Sequence, residues 1–320
     1  MSFKAWIERD WPTLYWVLFC LRRPAYVRAL ARSPFVRWVP PGHFYSPLPS
    51  VDDIGMAGGS AASNDGACAG IDLREAEQIN LLARLAPYHS AFPFSREPRP
   101  GLRFHCANDY FPYGDAVVAY SLFRLFEPRH VVEIGSGFSS ALMLDVNELF
   151  NAGRAAFTFI EPKPERLLQL IGGRLGAGAL LPQKVQEVPL TVFDALGTGD
   201  LLFVDSSHVV KAGSDVKYIL FEVLPRLQSG VLVHFHDVFW PFEYPADWLG
   251  KGIGWNEAYF LRAFLQFNRD FEIIFFNAFM AARHAPELAR ALPAAAESPG
   301  SSLWLRRTDS ESRGRERPSP

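Results

Sequence analysis

The amino-acid sequence predicts a doubly wound α/β fold, with a mostly parallel sheet of seven strands and an N-terminal helical extension. From about residue 113 onward, short apolar runs alternate with segments whose apolar residues recur at helical spacing. The apolar runs are continuous, which is typical of strands buried on both faces of a parallel sheet. The first run ends at a glycine-rich turn, Gly135-Ser136-Gly137, and a helix follows. This order is typical of sheets that bind a nucleotide-like ligand at the turn.

The order of strands and helices follows from the same periodicities. A helix ending near Phe126 precedes the first strand, and further helices are predicted after the glycine-rich turn, near 165–171 and over 216–224. The predicted strands are 131–134, 157–160, 184–188, 201–204, 231–235, 271–276 and 302–305. A helix at about 256–267 precedes the last two strands, and an Ala-rich helical stretch separates them. We therefore expect these two late strands to add an antiparallel edge with a reversed strand.

Composition divides the chain into four parts. They are an aromatic and Arg-rich extension (1–50), a flexible Gly/Ala/Ser linker (51–70), a main domain (71–307) and a disordered tail (308–320). The main domain is expected to open with a helix, because Asp72-Leu73-Arg74-Glu75 has the pattern of a capping box. Apolar residues at helical spacing extend that helix to about Leu85.

Charge and cysteine content exclude several classes of protein. The chain has 32 basic and 34 acidic residues, so it has no overall charge that would attract nucleic acid. Its three cysteines, Cys20, Cys68 and Cys106, are far apart and lack the spacing of a zinc site or a disulfide framework. This usage is typical of a reducing compartment, and we expect a cytoplasmic protein. With 49% hydrophobic residues, 320 residues are enough for a substantial core.

The N-terminal extension contains the longest apolar run, Trp11 to Leu21, which is about half of the roughly 20 residues that a spanning helix needs. No transmembrane segment is therefore expected. Aromatic residues and arginines lie close together over residues 1–37. Two hypotheses remain open for this segment. It packs on the main domain or on a second subunit of a homo-oligomer, or it associates weakly with a membrane surface.

The glycine-rich turn is preceded by an acid, giving Glu133-x-Gly135-x-Gly137. A dinucleotide site would place a third glycine where this chain has Ser140. A carboxylate at 133 would repel a pyrophosphate and favour a cationic group, such as the amino group of a methionine moiety. The second strand also ends in an acid, Glu161, which suits the two hydroxyls of a ribose. Together these residues favour S-adenosylmethionine over a dinucleotide.

These residues and the segment Asp200-Leu201-Leu202-Phe203-Val204-Asp205 resemble the class I S-adenosylmethionine-dependent methyltransferases. The resemblance covers roughly residues 104 to 306 and implies that 71–307 is a methyltransferase domain with a Rossmann-like sheet. It also implies S-adenosylmethionine as cofactor and a small-molecule acceptor. The residues expected to bind the cofactor are Glu133, Gly135, Ser136, Gly137, Ser139, Glu161 and Asp205.

Polar residues at the ends of the fourth and fifth strands are the expected catalytic groups. Asp205-Ser206-Ser207-His208 resembles the D-x-x-H of a small-molecule branch of the family, and His236-Asp237 resembles its H-D. A hydroxyl is a poor nucleophile until its proton is removed or stabilised away. Two routes are open: His208, His236 or Asp237 acts as general base, or Asp205 and Asp237 hold a divalent ion such as Mg²⁺. The divalent-metal O-methyltransferases, which these strand ends resemble more distantly, usually carry a third oxygen ligand after the second carboxylate, where this chain has Val238.

The long aromatic loop after the fifth strand is the expected wall for the acceptor. Glu243, Tyr244, Asn256 and Glu257 are its candidate substrate contacts, although Asn256 would equally serve as a helix cap. His208 would equally cap the helix after it, and His234, inside an apolar strand, is expected to be a packing residue. Two other functions compete: a nicotinamide-dependent oxidoreductase on a similar sheet, and a non-catalytic cofactor-binding scaffold.

Overall fold

A computed structural model describes residues 11–55, 68–172, 175 and 179–308. Most of the predicted linker, 56–67, and nearly all of the predicted tail, 309–320, lie outside the described residues, as do residues 1–10. Within the described parts, the extension contains three helices, and a short helical turn at 51–55 follows them. No helix of the described residues has the length and apolar character needed to cross a membrane.

The main domain contains the predicted sheet of seven strands. They are β1 (His130–Ile134), β2 (Ala156–Ile160), β3 (Leu180–Leu181), β4 (Leu201–Val204), β5 (Leu232–Phe235), β6 (Phe271–Phe276) and β7 (Leu303–Arg307). The strand order is β3-β2-β1-β4-β5-β7-β6, and the first five strands are parallel. The strand β7 runs antiparallel to both of its neighbours. The doubly wound α/β prediction, including the reversed late strand, is confirmed.

Helices cover both faces of the sheet and form the extension. They are α1 (Pro12–Arg22), α2 (Pro24–Arg32), α3 (Phe35–Trp38), α4 (Glu75–His89), α5 (Tyr113–Phe126), α6 (Phe138–Phe150), α7 (Glu165–Ile171), α8 (Thr191–Asp194), α9 (Asp215–Tyr218), α10 (Ala246–Gly250), α11 (Glu257–Leu265), α12 (Asn277–Arg283), α13 (Ala285–Ala291) and α14 (Pro293–Glu297). The helix α9 continues as a π turn and a 3-10 turn to Arg226.

Two local predictions were wrong, each for a physical reason. The third strand was expected at 184–188, but Val185–Glu187 is a 3-10 turn and the strand lies earlier, at Leu180–Leu181. The buried residues there, Val185 and Val188, are three apart, which suits one helical turn and not a strand. The capping box is also absent, because α4 begins only at Glu75 and no side chain caps its N-terminus. The helix also ends later than expected, at His89 and not near Leu85. Asp72 instead accepts a hydrogen bond from the Arg74 backbone N–H, forming a turn before the helix.

The register of the parallel strands determines where the functional site lies. Ile134 pairs with Ile160 on one side and with Val204 on the other, and Val204 pairs with Phe235. The residues that follow these four therefore begin at the same level of the sheet. Because the carboxyl ends of parallel strands form the ligand-binding edge of such sheets, the chains leaving β1, β2, β4 and β5 can contribute side chains to one crevice.

Candidate active site

A cavity of about 680 Å³ lies at this edge of the sheet. Its wall includes six of the seven predicted cofactor residues, Gly135, Ser136, Gly137, Ser139, Glu161 and Asp205. It also includes all three predicted catalytic residues, His208, His236 and Asp237. The volume is within the range of about 300 to 1,000 Å³ that is usual for small-molecule and cofactor sites. One crevice thus contains both groups of residues.

The turn after β1 needs glycine at its first position. Gly135 has a φ of 79°, and its N–H donates to the Ile160 carbonyl across 3.0 Å. A Cβ atom at this position would lie 1.7 Å from the backbone oxygen of Asp205. The chains leaving β1 and β4 therefore approach so closely that any side chain at 135 would force them apart.

Replacing Gly135 by Ala is expected to destabilise the fold by about 3 kcal/mol or more, because a steric clash with fixed backbone adds to the strain of a left-handed alanine. Gly153→Ala is the matched control, since Gly153 also has a positive φ, 69°, but an added Cβ would meet nothing within 4 Å. Strain alone predicts about 1 kcal/mol there. Urea unfolding of both variants measures the difference, and equal losses would contradict the close approach of the two chains.

Glu133 lies directly beneath the glycine-rich turn and does not reach the cavity wall. It is fully buried and accepts hydrogen bonds from the hydroxyls of Ser139, across 2.6 Å, and Ser140. Ser140 in turn accepts from the Gly137 N–H. Burial raises the pKa of Glu133 to about 8, although the two serine hydrogen bonds oppose the shift. This carboxylate therefore acts on the cavity through the turn, and it is destabilised when it is charged and the cavity is empty.

Glu161 occupies the end of β2, as the sequence indicated. One carboxylate oxygen accepts from the Ser136 N–H, at 3.1 Å, and the other from the Lys163 N–H, at 2.7 Å. These two backbone donors fix the direction of the side chain beside the glycine-rich turn. The remaining lone pairs of its oxygens can accept hydrogen bonds from a ligand in the cavity.

His208 is held between acidic side chains. Its Nδ1 lies 2.9 Å from Glu257 Oε2, and its Nε2 lies 3.3 Å from Asp205 Oδ1 and 3.7 Å from Asp237 Oδ2. Burial alone would lower the pKa of this imidazole, but the hydrogen bonds with Asp205 and Glu257 outweigh burial and raise the pKa to about 10. One ring nitrogen is thus anchored to a buried carboxylate, and the other faces the cavity.

His236 is likewise held between acidic side chains, with a buried carboxylate at one ring nitrogen. Its Nε2 lies 3.4 Å from Asp115 Oδ2, and its Nδ1 lies 3.5 Å from both Asp205 Oδ1 and Asp237 Oδ2. Asp115 is fully buried at the start of α5, where it also accepts hydrogen bonds from Ser301. The charges of Asp205 and Asp237 raise the pKa of His236 well above its usual value, against the opposite effect of burial.

Both imidazoles, those of His208 and His236, contact the carboxylates of Asp205 and Asp237. Burial would raise the pKa of Asp205, but the charges of His236 and His208 and their hydrogen bonds hold it well below its usual value. Protons in this cluster consequently reside on the imidazoles and not on Asp205. Asp237 is held on its other side by the Ser301 hydroxyl, at 3.0 Å. Four carboxyl groups therefore surround two imidazoles, a composition that favours a cation in the cavity.

The backbone at these residues is strained. His208 and Asp237 have φ values of 57° and 56°, in the left-handed region that most side chains avoid. Neighbouring contacts hold His208 in place, since its carbonyl accepts from the N–H groups of Asn256 and Glu257 at the start of α11. Backbone strain of this kind is concentrated at functional sites, where surrounding contacts fix a side chain in one direction.

None of the four predicted substrate contacts lines the cavity. Glu257 lies behind His208, and Asn256 does not cap α11 but bonds the backbone N–H and carbonyl of Val210. The hydroxyl of Tyr244 accepts from Ala258, and Glu243 accepts from Tyr259. Each of these four side chains is held by a partner after β4 or in α11, and none of them is directed into the cavity.

Aromatic side chains of the same loop form the wall instead, namely Phe239, Trp248 and Trp255. The Trp255 ring lies 4.2 Å from the His208 ring, centroid to centroid. Sequence reasoning recognised the loop through its aromatic content but not which of its residues face inward. It also missed Arg166, which lies over the Tyr110 ring beside the glycine-rich turn, and Ser301, for which the sequence contains no signal.

His234 and Asp215 lie outside the cavity wall. His234 is a buried packing residue as expected, stacked on Phe203 and paired with the Ser302 hydroxyl at 2.8 Å. Asp215 accepts hydrogen bonds from the backbone N–H and the hydroxyl of Ser207. It therefore helps to fix the loop that carries His208.

Sequence comparisons relate this part of the chain to known proteins. A family model described as a methyltransferase domain matches residues 132–238. An uncharacterized protein of Archaeoglobus fulgidus is 32% identical over 161 residues, which are 49% of this chain and 73% of that protein.

Two solved structures show weaker likeness. The SAH-bound methyltransferase PaMTH1 of Podospora anserina is 17% identical and has a TM-score of 0.41, with 82% of this chain and 98% of that chain covered. A duf574 family protein of Streptomyces avermitilis is 16% identical and has a TM-score of 0.35, with coverages of 61% and 80%. These scores are too low to transfer residue roles. Residues 132–238, which the family model matches, therefore form a methyltransferase domain, and the glycine-rich turn and the strand order are consistent with the class I S-adenosylmethionine-dependent methyltransferases.

Proposed function

We propose that this protein transfers a methyl group from S-adenosylmethionine to a hydroxyl oxygen of a small molecule, and that residues 71–307 are the unit that does so. The observation that carries the proposal is the single cavity shared by Glu161 and the glycine-rich turn on one side and by His208, His236 and Asp237 on the other. When bound, the cofactor supplies a methyl group on a positively charged sulfur. The acidic surroundings described above favour that charge.

Removal of the acceptor's proton is assigned to His208. Its Nε2 faces the cavity, while Glu257 holds Nδ1 at 2.9 Å and fixes the tautomer and direction of the ring. In the empty cavity the pKa of about 10 keeps this imidazole protonated at neutral pH. A cationic group entering beside it opposes protonation and lowers the pKa. The imidazole is therefore released as a base when the cofactor is bound.

The acceptor is expected to be a compact molecule with an apolar or ring-shaped body. Phe239, Trp248 and Trp255 supply flat apolar surface, and they stand on the same side of the cavity as His208. Such side chains enclose rings and the apolar faces of sugars, while a few polar groups determine orientation. A hydroxyl on such a body could lie against His208 Nε2.

A divalent ion is a second route, favoured by one observation. Asp205, His208 and Asp237 each offer one ligand atom, and these atoms lie within 4.8 Å of one another. The donor set contains an imidazole nitrogen, which suits Mn²⁺, Fe²⁺ or Zn²⁺ better than the Mg²⁺ expected from the sequence. An ion held there would supply Lewis acidity to the acceptor oxygen. Buried carboxylates behind each histidine, Glu257 and Asp115, would orient the rings.

Calorimetric titration with S-adenosylmethionine, S-adenosylhomocysteine and NADH tests the cofactor. We expect binding of the first two, and Glu161→Gln is expected to weaken both by about 10- to 100-fold because a charged acceptor for ribose hydroxyls is lost. The control is Glu165→Gln, an exposed acid four residues along the chain. Tight binding of NADH without binding of S-adenosylmethionine would favour the oxidoreductase. Binding without methylation of any hydroxyl compound in a screen would favour the scaffold.

A further inference from the structure

The N-terminal arm, defined as residues 11–55, exposes an unusual amount of apolar surface. Fifteen of the 22 large apolar side chains that are exposed among the described residues lie in these 45 positions. Phe35, Trp38 and Phe44 are 80%, 71% and 80% exposed. Contiguous apolar exposure on this scale marks a surface that binds something.

Up to position 51 the charged side chains of the arm are all arginines, and two acids, Asp52 and Asp53, follow at its end. Arg22, Arg23, Arg28, Arg32 and Arg37 are all exposed, and the sequence has no Asp, Glu or Lys between positions 11 and 51. A surface that combines exposed aromatic side chains with arginine complements a layer that is apolar below and anionic above. The interface of an anionic lipid bilayer has this structure.

The helices of the arm have the form of interfacial helices. On α2, Tyr26, Val27 and Leu30 share one face, and Arg28 and Arg32 lie on the opposite face. With 11 and 9 residues, α1 and α2 are far below the roughly 20 residues needed to span a bilayer. Helices of this kind lie in the plane of the interface.

A second copy of the chain fits this surface less well. Pairing two arms would bring five arginines of one copy against five of the other, and like charges in contact oppose association. Beyond the arm, the exposed large apolar residues within the described ranges number seven, and only Tyr259 and Phe260 share an element, α11. The described residues therefore provide no matching apolar patch for the arm.

We propose that the N-terminal arm docks on the surface of an anionic lipid bilayer. Docking would also position the cavity. Leu48, near the end of the arm, lies close to Gly254. A Cβ atom added at Gly254 would lie 3.1 Å from the Cδ2 atom of Leu48. Gly254 precedes Trp255 of the aromatic wall, so the docked protein would hold its cavity beside the lipid surface.

Flotation of the full chain with vesicles tests the proposal. We expect binding to vesicles of phosphatidylcholine and phosphatidylglycerol, weak binding to phosphatidylcholine alone, and release by high salt. Arg28→Gln with Arg32→Gln should weaken binding about 25-fold, at about fivefold per charge. Phe35→Ser with Trp38→Ser should weaken binding to both kinds of vesicle by about tenfold or more.

The matched control is Phe221→Ser with Arg290→Gln, because both residues are exposed on the main domain, outside the arm. This variant should bind vesicles as the wild type does. Failure of the wild type to float with anionic vesicles would overturn the proposal. So would sedimentation equilibrium showing a dimer that the arm variants convert to monomer, because the occupant would then be a second copy. Neither result bears on cofactor binding, which is measured separately.

Discussion

Replacing His208 by Gln is expected to lower kcat by about 10²- to 10⁴-fold, the usual contribution of a positioned general base. Glutamine retains a polar group near Asp205 and Glu257 but cannot take a proton from the acceptor. Binding of S-adenosylmethionine, measured by calorimetry, should be unchanged or tighter, because the variant removes a cation from the cavity. The loss should thus fall on kcat and not on the dissociation constant of the cofactor.

A histidine at the opposite edge of the sheet provides the control. His130 begins β1, with its side chain 59% exposed, and pairs with Asp200 at 3.0 Å. His130→Gln alters a histidine–carboxylate pair of similar chemistry far from the cavity, and it should leave kcat within about twofold of the wild type, as is usual for surface substitutions. If His208→Gln retained wild-type kcat, His208 could not be the base, and His236 would be the remaining imidazole.

The next prediction concerns Glu257, the carboxylate that positions His208. Its hydrogen bond raises the pKa of His208, so Glu257→Gln should lower that pKa. Activity that needs the neutral imidazole rises as pH rises through the pKa of His208. The rising limb of the kcat profile should therefore move to lower pH by about one unit or more. A merely structural role for Glu257 would reduce kcat without moving the limb.

Metal dependence separates the two routes on the same variants. If His208 acts as a base without a metal, chelation with EDTA should leave kcat unchanged. If Asp205, His208 and Asp237 hold an ion, chelation should abolish activity, added Mn²⁺ should restore it, and Asp205→Asn should prevent the restoration. If His208→Gln lost Mn²⁺ binding to the same extent as Asp205→Asn, the His208 side chain would be identified as a ligand.

The fold and the position of the glycine-rich turn at the cavity were readable from the sequence because they depend on local patterns. Continuous apolar runs predict parallel strands, and Gly135 and Gly137 mark the turn between a strand and a helix. The opposite side of the cavity, which carries His208 and Asp237, was only partly readable. His208 and Asp237 were recognised because they follow strands of the sheet. Their partners Glu257 and Asp115 come from distant segments, and only the folded chain brings them together.

The sequence also does not indicate which side chains of the long loop face the cavity and which face away from it. The aromatic content of 237–255 predicts a wall, but a loop has no regular period that assigns faces. Glu243 and Tyr244 were expected to point into the cavity, whereas Trp248 and Trp255 do so. The difference arises because the polar atoms of the first pair are taken up by Tyr259 and by the Ala258 N–H.

Glu133→Gln is expected to stabilise the empty protein at alkaline pH. The pKa of Glu133 is about 8 in the folded chain, above its usual value of 4.5, so between these values the folded state binds more protons than the unfolded state. The contribution of Glu133 to the free energy of unfolding is therefore fully present below pH 4.5, and it falls as the pH rises from 4.5 to 8. The cost of the buried charge at pH above 8 is on the order of 5 kcal/mol, and a neutral glutamine avoids it.

Urea unfolding of the wild type and Glu133→Gln at a series of pH values measures this difference. The two free energies of unfolding should agree near pH 4 and diverge upward to pH 8, with the variant more stable. The control is Glu165→Gln, whose exposed side chain should leave the pH dependence unchanged. If Glu133→Gln were less stable at every pH, the serine hydrogen bonds would outweigh burial, and the carboxylate would be favourably charged in the empty fold.

Glu133→Gln should also weaken the binding of S-adenosylmethionine by about tenfold. The negative charge beneath the glycine-rich turn would no longer attract the cation across a low-dielectric interior. S-adenosylhomocysteine lacks the sulfonium charge and should lose less affinity. Near pH 7, Glu133 is largely protonated in the empty protein, and a cation in the cavity lowers its pKa. Cofactor binding should therefore release protons in the wild type, and removing Glu133 should reduce that release. Calorimetry in buffers of different ionisation enthalpy measures the protons released, and equal release by both proteins would assign it to the histidines alone.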